Sequence, residues 1–152
     1  MSDESVSEST GETPAANPFA EFNRNLINEF RANNGVVEGP FAQAPLVLIT
    51  TVGRKSGQRR TTPLVHSRSG DDVVIIASKA GAPTHPDWFH NVVANPQVTV
   101  ELPGETFDAT ARVAEGEERD RLYRAQADLM PNFDEYAAAT TRTIPVVVLS
   151  RQ

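Results

Sequence analysis

Apolar positions recur along this chain with two different periods. From Pro18 onward, Phe19, Phe22, Leu26, Ile27 and Phe30 follow three- and four-residue spacing, the pattern of an amphipathic helix, and Asn33-Asn34-Gly35 stops it. The pattern then becomes that of strands. Leu46 to Val52 is a nearly continuous apolar run, Gly53 to Gly57 reads as a turn, and Arg60 to Ser67 as a second strand. Ser69-Gly70-Asp71 turns the chain into a third strand, Val73 to Ser78. A short helix is predicted over His85 to Val93, with Pro86 in its first turn and Asn95-Pro96 as its stop. Val98 to Leu102 and Thr106 to Val113 flank Pro103-Gly104 as a hairpin. Helical signals follow over Glu115 to Leu129 and Asn132 to Ala139, interrupted by Pro131, and Ile144 to Leu149 closes the pattern as a strand. Pro145 sits near the start of that strand, where a missing donor is tolerated. About six antiparallel strands in hairpins, with flanking helices, predict an α+β fold around an antiparallel barrel.

Composition narrows the picture. The 152 residues suit one domain, residues 18–152, preceded by an acidic stretch over 1–17. That stretch holds Asp3, Glu4, Glu8 and Glu12 with no basic residue, and it is expected to be disordered. It carries much of the net charge of −6, so the body is nearly neutral. An acidic chain argues against nucleic acid as the main partner. The absence of cysteine excludes disulfides, thiolate metal sites and cysteine nucleophiles. No run is long and apolar enough to span a bilayer, and the first residues lack the pattern of a secretory leader, so a cytoplasmic protein is expected.

Against that background one cluster stands out. Arg54, Lys55, Arg59 and Arg60 fall within seven residues, just after the first strand. Arg54, Lys55 and Arg60 offer charge-assisted donors, and Gly53 and Gly57 let backbone amides approach an anion closely. The turn reads either as a receptor for an anionic ligand or as a solvated hairpin tip. A second cluster runs from Ser78-Lys79 through a Gly/Pro loop to the helix start at Asp87-Trp88, where free amides also favour anions. Trp88 and Phe89 suit either ring stacking or the core. Met130, Phe133 and Tyr136, three residues apart, share one helical face and read equally as a core stripe. The three histidines, His66, His85 and His90, show no metal-ligand spacing, so no metal is expected. Neither a G-x-S-x-G elbow nor a G-x-G-x-x-G fingerprint is present.

Taken together, Thr50 to Gln58 with Thr62-Pro63-Leu64, Ala77 to Gly81, His85 to Asn91 with Ala94-Asn95-Pro96, and Arg142 to Val148 resemble the deazaflavin-dependent nitroreductase family. The resemblance spans about Pro18 to Leu149 and implies a split β-barrel related to flavin-binding oxidases. It also implies coenzyme F420, an 8-hydroxy-5-deazaflavin with a phosphate and a glutamate tail. By this likeness Arg54, Lys55, Ser56 and Arg60 take the anionic tail. Thr61, Thr62, Pro63, Leu64 and Val65, with Ile76, Ala77, Ser78 and Lys79, flank the ring and ribityl chain. Asp87, Trp88, Phe89, His90 and Asn91 close the site near the phosphate. Ser78 and Tyr136 are the implied catalytic hydrogen-bond donors. Val65, Met130, Phe133 and Tyr136 line the substrate side, and the first three stand where nitroimidazole-activating members tend to carry tyrosines. Apolar residues there suit a flat acceptor such as a quinone, with enones and nitroaromatics as related acceptors. The implied reaction is hydride transfer from reduced F420 to such an acceptor; an FMN-binding oxidoreductase and a non-catalytic deazaflavin-binding protein are the alternatives. The aromatic helix over residues 19–30 is expected to pack on the body, cover a pocket or touch a membrane surface peripherally.

Overall fold

The computed structural model describes residues 20–42 and 44–152; the acidic stretch 1–17 and Phe19 lie outside them. After helix α1 (Ala20–Ala32) the chain forms strands β1 (Leu46–Val52), β2 (Arg59–Val65), β3 (Ser67–Ser69) and β4 (Asp72–Ile76). Helix α2 (Asp87–Ala94) leads into β5 (Gln97–Leu102) and β6 (Glu105–Val113). Helices α3 (Gly116–Leu129) and α4 (Asn132–Ala138) precede the last strand, β7 (Val146–Arg151). The seven strands make one curled sheet in the order β2-β1-β5-β6-β7-β4-β3, and every pairing in it is antiparallel.

The apolar runs of β1, β4 and β7 are continuous because both of their faces are covered. Val47 and Ile49, Val73 and Ile75, and Val147 and Leu149 point into the curl of the sheet, where Trp88 and Val92 of α2 close the core. The alternate residues of β4 and β7, Val74, Ile76, Val146 and Val148, pack outward against Leu122, Tyr123 and Phe133 of α3 and α4. On β1 the outward pair, Leu46 and Leu48, meets Leu26 and Phe30 of α1. Leu48 and Ile49 are fully buried, each worth about 1.5–3 kcal/mol of transfer free energy. Leu26, Ile27 and Phe30 of the α1 stripe are therefore used inside the molecule, while Phe22 stays 43% exposed.

The strand expected over Arg60 to Ser67 divides at His66, so about six strands become seven. The break falls opposite Pro45, which has no amide to return to His66 but whose carbonyl accepts from the His66 amide at 3.0 Å and from ring Nδ1 at 2.7 Å. The third strand ends at Ile76 rather than Ser78, because Arg142 captures the carbonyls of Ala77 and Ser78 and the chain then enters left-handed backbone at Lys79. Helix α2 begins at Asp87, two residues later than expected, since Pro86 is extended (φ −69°, ψ 155°) and serves as its N-cap. Pro131 separates α3 from α4 as its missing amide requires.

Candidate active site

A cavity of about 500 Å³ opens between β2, the end of β4, α2, α4 and the inner face of α1. Its position follows from the topology. Strand β2 is an edge strand of the sheet, and its residues Thr62, Pro63, Leu64 and Val65 face the space that α1 and α4 enclose. Pro63 is tolerated there because one side of an edge strand needs no donor.

Twelve of the residues singled out in the sequence meet on this wall: Thr62, Pro63, Leu64, Val65, Ile76, Ser78, Lys79, Asp87, Trp88, Met130, Phe133 and Tyr136. Nine do not. Ala77 is fully buried in the core, and Thr61 spends its hydroxyl on Thr50, 2.8 Å away across the strands. Ser56 caps the basic turn, its hydroxyl accepting from the Gln58 amide at 3.1 Å. Phe89 packs against the core and the His85 ring. Arg54, Lys55, Arg60, His90 and Asn91 lie around the turn and the start of α2, off the cavity wall.

The turn and the cavity are nevertheless linked. Arg54 donates to the buried Asn91 side chain from its backbone amide and from its guanidinium, both at 3.1 Å. The same guanidinium lies 3.7 Å from Asp87, itself a cavity residue. His90 sits among these charges: burial, Arg54 and Lys79 push its pKa down, while Asp87 pulls the other way. Arg59 points away and donates to Thr99 at 3.1 Å, so strand alternation divides the basic cluster between two faces.

Sequence reasoning missed several residues. Phe22, Asn23 and Leu26 of α1 form part of the wall, as do Phe41 and Leu46. Asn132, also on the wall, donates from Nδ2 to the Tyr136 phenol oxygen at 2.8 Å; its i, i+4 spacing from Tyr136 was the available signal. Arg142 holds the loop that carries Ser78. Its guanidinium donates to the carbonyls of Ala82 (2.8 Å), Ala77 (3.2 Å) and Ser78 (2.7 Å), and to His85 Nδ1 (2.8 Å). An arginine can only donate, so His85 Nδ1 carries the lone pair and its proton sits on Nε2. Burial, then Arg142, then His90 hold His85 below the usual imidazole range.

This anchorage matters because Lys79, Ala80 and Gly81 all have positive φ (47°, 53° and 81°). Such backbone costs a side-chain-bearing residue on the order of 1 kcal/mol and persists only when its surroundings fix it. At Gly81 a Cβ would lie 3.0 Å from the Tyr136 carbonyl oxygen and 2.9 Å from Ala139 Cβ, so the loop is pressed against α4. Behind α4, the buried Tyr123 hydroxyl donates to the Phe133 carbonyl at 2.6 Å. Both sides of the cavity floor are thus rigidly held.

A largely apolar cavity with three hydroxyls, a lysine and a basic turn near its edge can bind a planar ring bearing an anionic tail. The chain is similar to proteins with such chemistry. It is 38% identical over 127 residues to an F420H(2)-dependent quinone reductase of Mycobacterium tuberculosis, covering 81% of this chain and 85% of that protein. A solved F420-H2 dependent reductase, FDR-A, superposes with a TM-score of 0.65 at 41% identity, over 70% of this chain and 94% of that one. A FAD-binding protein of Mesorhizobium loti, at 14% identity and a TM-score of 0.50 over 71% of this chain and 80% of that one, shares the fold alone, the flavin-type split barrel. The sequence model described as F420H(2)-dependent quinone reductase matches residues 22–151, which is nearly the whole described chain. The curled sheet, the cavity beside its edge strand and this match agree: the chain belongs to the F420H(2)-dependent quinone reductase family.

Proposed function

We propose that this protein reduces a quinone-type acceptor with coenzyme F420, binding both in the cavity between β2 and α4. One observation carries the reading. Thr62 to Val65, Ile76, Ser78 and Lys79, the apolar pair Met130 and Phe133, and Tyr136 all border one space. Family membership names the coenzyme and the enzyme class.

The residues fit the group by their donor chemistry. Arg54, Lys55 and Arg60 suit a phosphate and a carboxylate tail, and the Arg54–Asp87 contact joins that turn to the ring end of the cavity. Asp87 lowers the net positive charge there, so Lys55 and Arg60 carry more of the tail binding. When bound, the coenzyme supplies a hydride from carbon 5 of its deazaflavin ring. The protein's part is placement and field. Leu64 and Val65 support one side of the stacked rings, while Met130 and Phe133 keep water from the other. Ser78, 8% exposed, and Tyr136 donate to the oxygen that gains negative charge. Helix α1 covers the acceptor end with Phe22 and Leu26. Val65, Met130 and Phe133 leave that end with few donors, which favours quinones over acceptors needing several; enones and nitroaromatics with one accessible oxygen are secondary acceptors.

The test is a fluorescence titration with F420, followed by a quinone-driven oxidation of the reduced coenzyme. Binding in the micromolar range and oxidation that depends on the protein are expected; no binding in that range would sink the reading. Lys55→Ala should weaken polyglutamylated F420 far more than FMN. Equal weakening of both would show that the tail lies elsewhere.

A further inference from the structure

We infer that Asn132 is a positioning residue: it fixes the direction of the hydrogen bond at the Tyr136 phenol, so that the phenol proton faces the cavity and selects acceptors that present an oxygen. This rests on the reading of the α4 side as the acceptor wall. A phenol has one proton and can both donate and accept. Asn132 Nδ2 donates to the Tyr136 oxygen at 2.8 Å. The single proton is then left for another partner, and among the described residues no side chain or carbonyl takes it. Both residues border the cavity, and their i, i+4 spacing keeps them together on one face of α4.

The surroundings prevent the pair from rearranging. The Tyr136 ring stands edge-on to Phe133, with centroids 5.2 Å apart and planes at 75°. Gly81 packs on the Tyr136 backbone, where a Cβ would come within 3.2 Å of its Cα. Met130 and Phe133 supply no donor. Beside Met130 and Phe133, the phenol is therefore the hydroxyl donor on the α4 side of the cavity. Reduction of a quinone to its hydroquinone takes one hydride, here from the reduced coenzyme, and one proton from water. The oxygen that becomes anionic before protonation is the one a fixed phenol donor stabilises.

The experiment compares Asn132→Leu, which removes the donor at similar volume, with Asn132→Asp, which can only accept. Its first readout needs no ligand. The chain has two tyrosines, Tyr123 and Tyr136, and Tyr123 donates to the Phe133 carbonyl, so it serves as an internal reference for a donating phenol. Infrared spectra with ring-labelled tyrosine, assigned by Tyr136→Phe, should place the Tyr136 C–O stretch in the accepting position in the unaltered protein. Asn132→Asp should move it to the donating position that Tyr123 shows. A Tyr136 band already in the donating position before substitution would overturn the inference. The second readout is kinetic. Both Asn132 variants should lose about tenfold in kcat with a quinone, with F420 affinity unchanged and no further loss in a Tyr136→Phe background. Losses that add to that of Tyr136→Phe would show that Asn132 does not act through the phenol. Absence of any quinone reduction by the unaltered protein would sink the functional reading, and the infrared result would still decide the role of Asn132.

Discussion

Arg142→Ala is the most demanding test of how the site is held. The guanidinium serves three carbonyls and one imidazole. Ala77 and Ser78 are buried, at 0% and 8% exposure, so their carbonyls lose a charged donor where little water can replace it. Each such loss costs about 1–3 kcal/mol. The Ala82 carbonyl and His85 are half-buried and can rehydrate, so they add little. The two buried carbonyls together cost about 2–6 kcal/mol. A chain of this size loses about 2–4 °C of Tm per kcal/mol, so a fall of roughly 4–24 °C is expected. Thermal unfolding followed by circular dichroism measures it. Arg142→Lys keeps the charge but not the fork and should fall between the two. Coenzyme affinity should decline as well, because Ser78, Lys79 and Ala80 border the cavity and the left-handed backbone of Lys79 and Ala80 loses its clamp. A Tm within about 2 °C of the unaltered protein, with affinity intact, would refute the idea that Arg142 fixes this loop.

Two further outcomes follow from the same region. Gly81→Ala should cost about 2 kcal/mol or more by urea unfolding, since it adds contacts of 2.9–3.2 Å to a positive φ. Gly104→Ala, at the same φ of +81° with nothing nearer than 3.7 Å, should cost clearly less; equal losses would mean the contact with α4 is unimportant. The second outcome concerns acid. His66, His85 and His90 are all held below the ordinary imidazole range, each chiefly by burial. The unfolded chain then binds protons first, so stability is full above about pH 6.5 and declines as pH falls through the folded values. Tm measured between about pH 7.5 and 5 should drop, and His85→Gln should flatten part of that slope; a flat profile would contradict the burial.

Much of this architecture is legible in the sequence. The first strand is found at Leu46–Val52 as its apolar run predicts, and Pro131 marks the break between α3 and α4 because a missing amide is a local property. Met130, Phe133 and Tyr136 do border one cavity, but not as the single helical face their spacing predicts, because Met130 is the extended residue that ends α3 before Pro131. What local pattern could not show depends on distant partners. The break at His66 arises from Pro45, 21 residues away. Arg142 reads as an ordinary residue before a strand until the fold brings it to carbonyls some 60 positions earlier. Phe22 and Leu26 have the same period whether they cover a pocket or a core. Asn132 gains its meaning only from the helix that sets it beside Tyr136.

The place of β7 has a consequence for biosynthesis. The last strand of the chain lies between β6 and β4 and pairs with both. Until it arrives, β2-β1-β5-β6 and the β4-β3 hairpin share no ladder. A ribosome releases the chain from its N-terminus, so the sheet cannot be completed before Val146–Arg151 have left the exit tunnel. A chain cut before Val146 would lack the clasp between the two pieces, and with it the strand on which Leu122, Tyr123 and Phe133 pack.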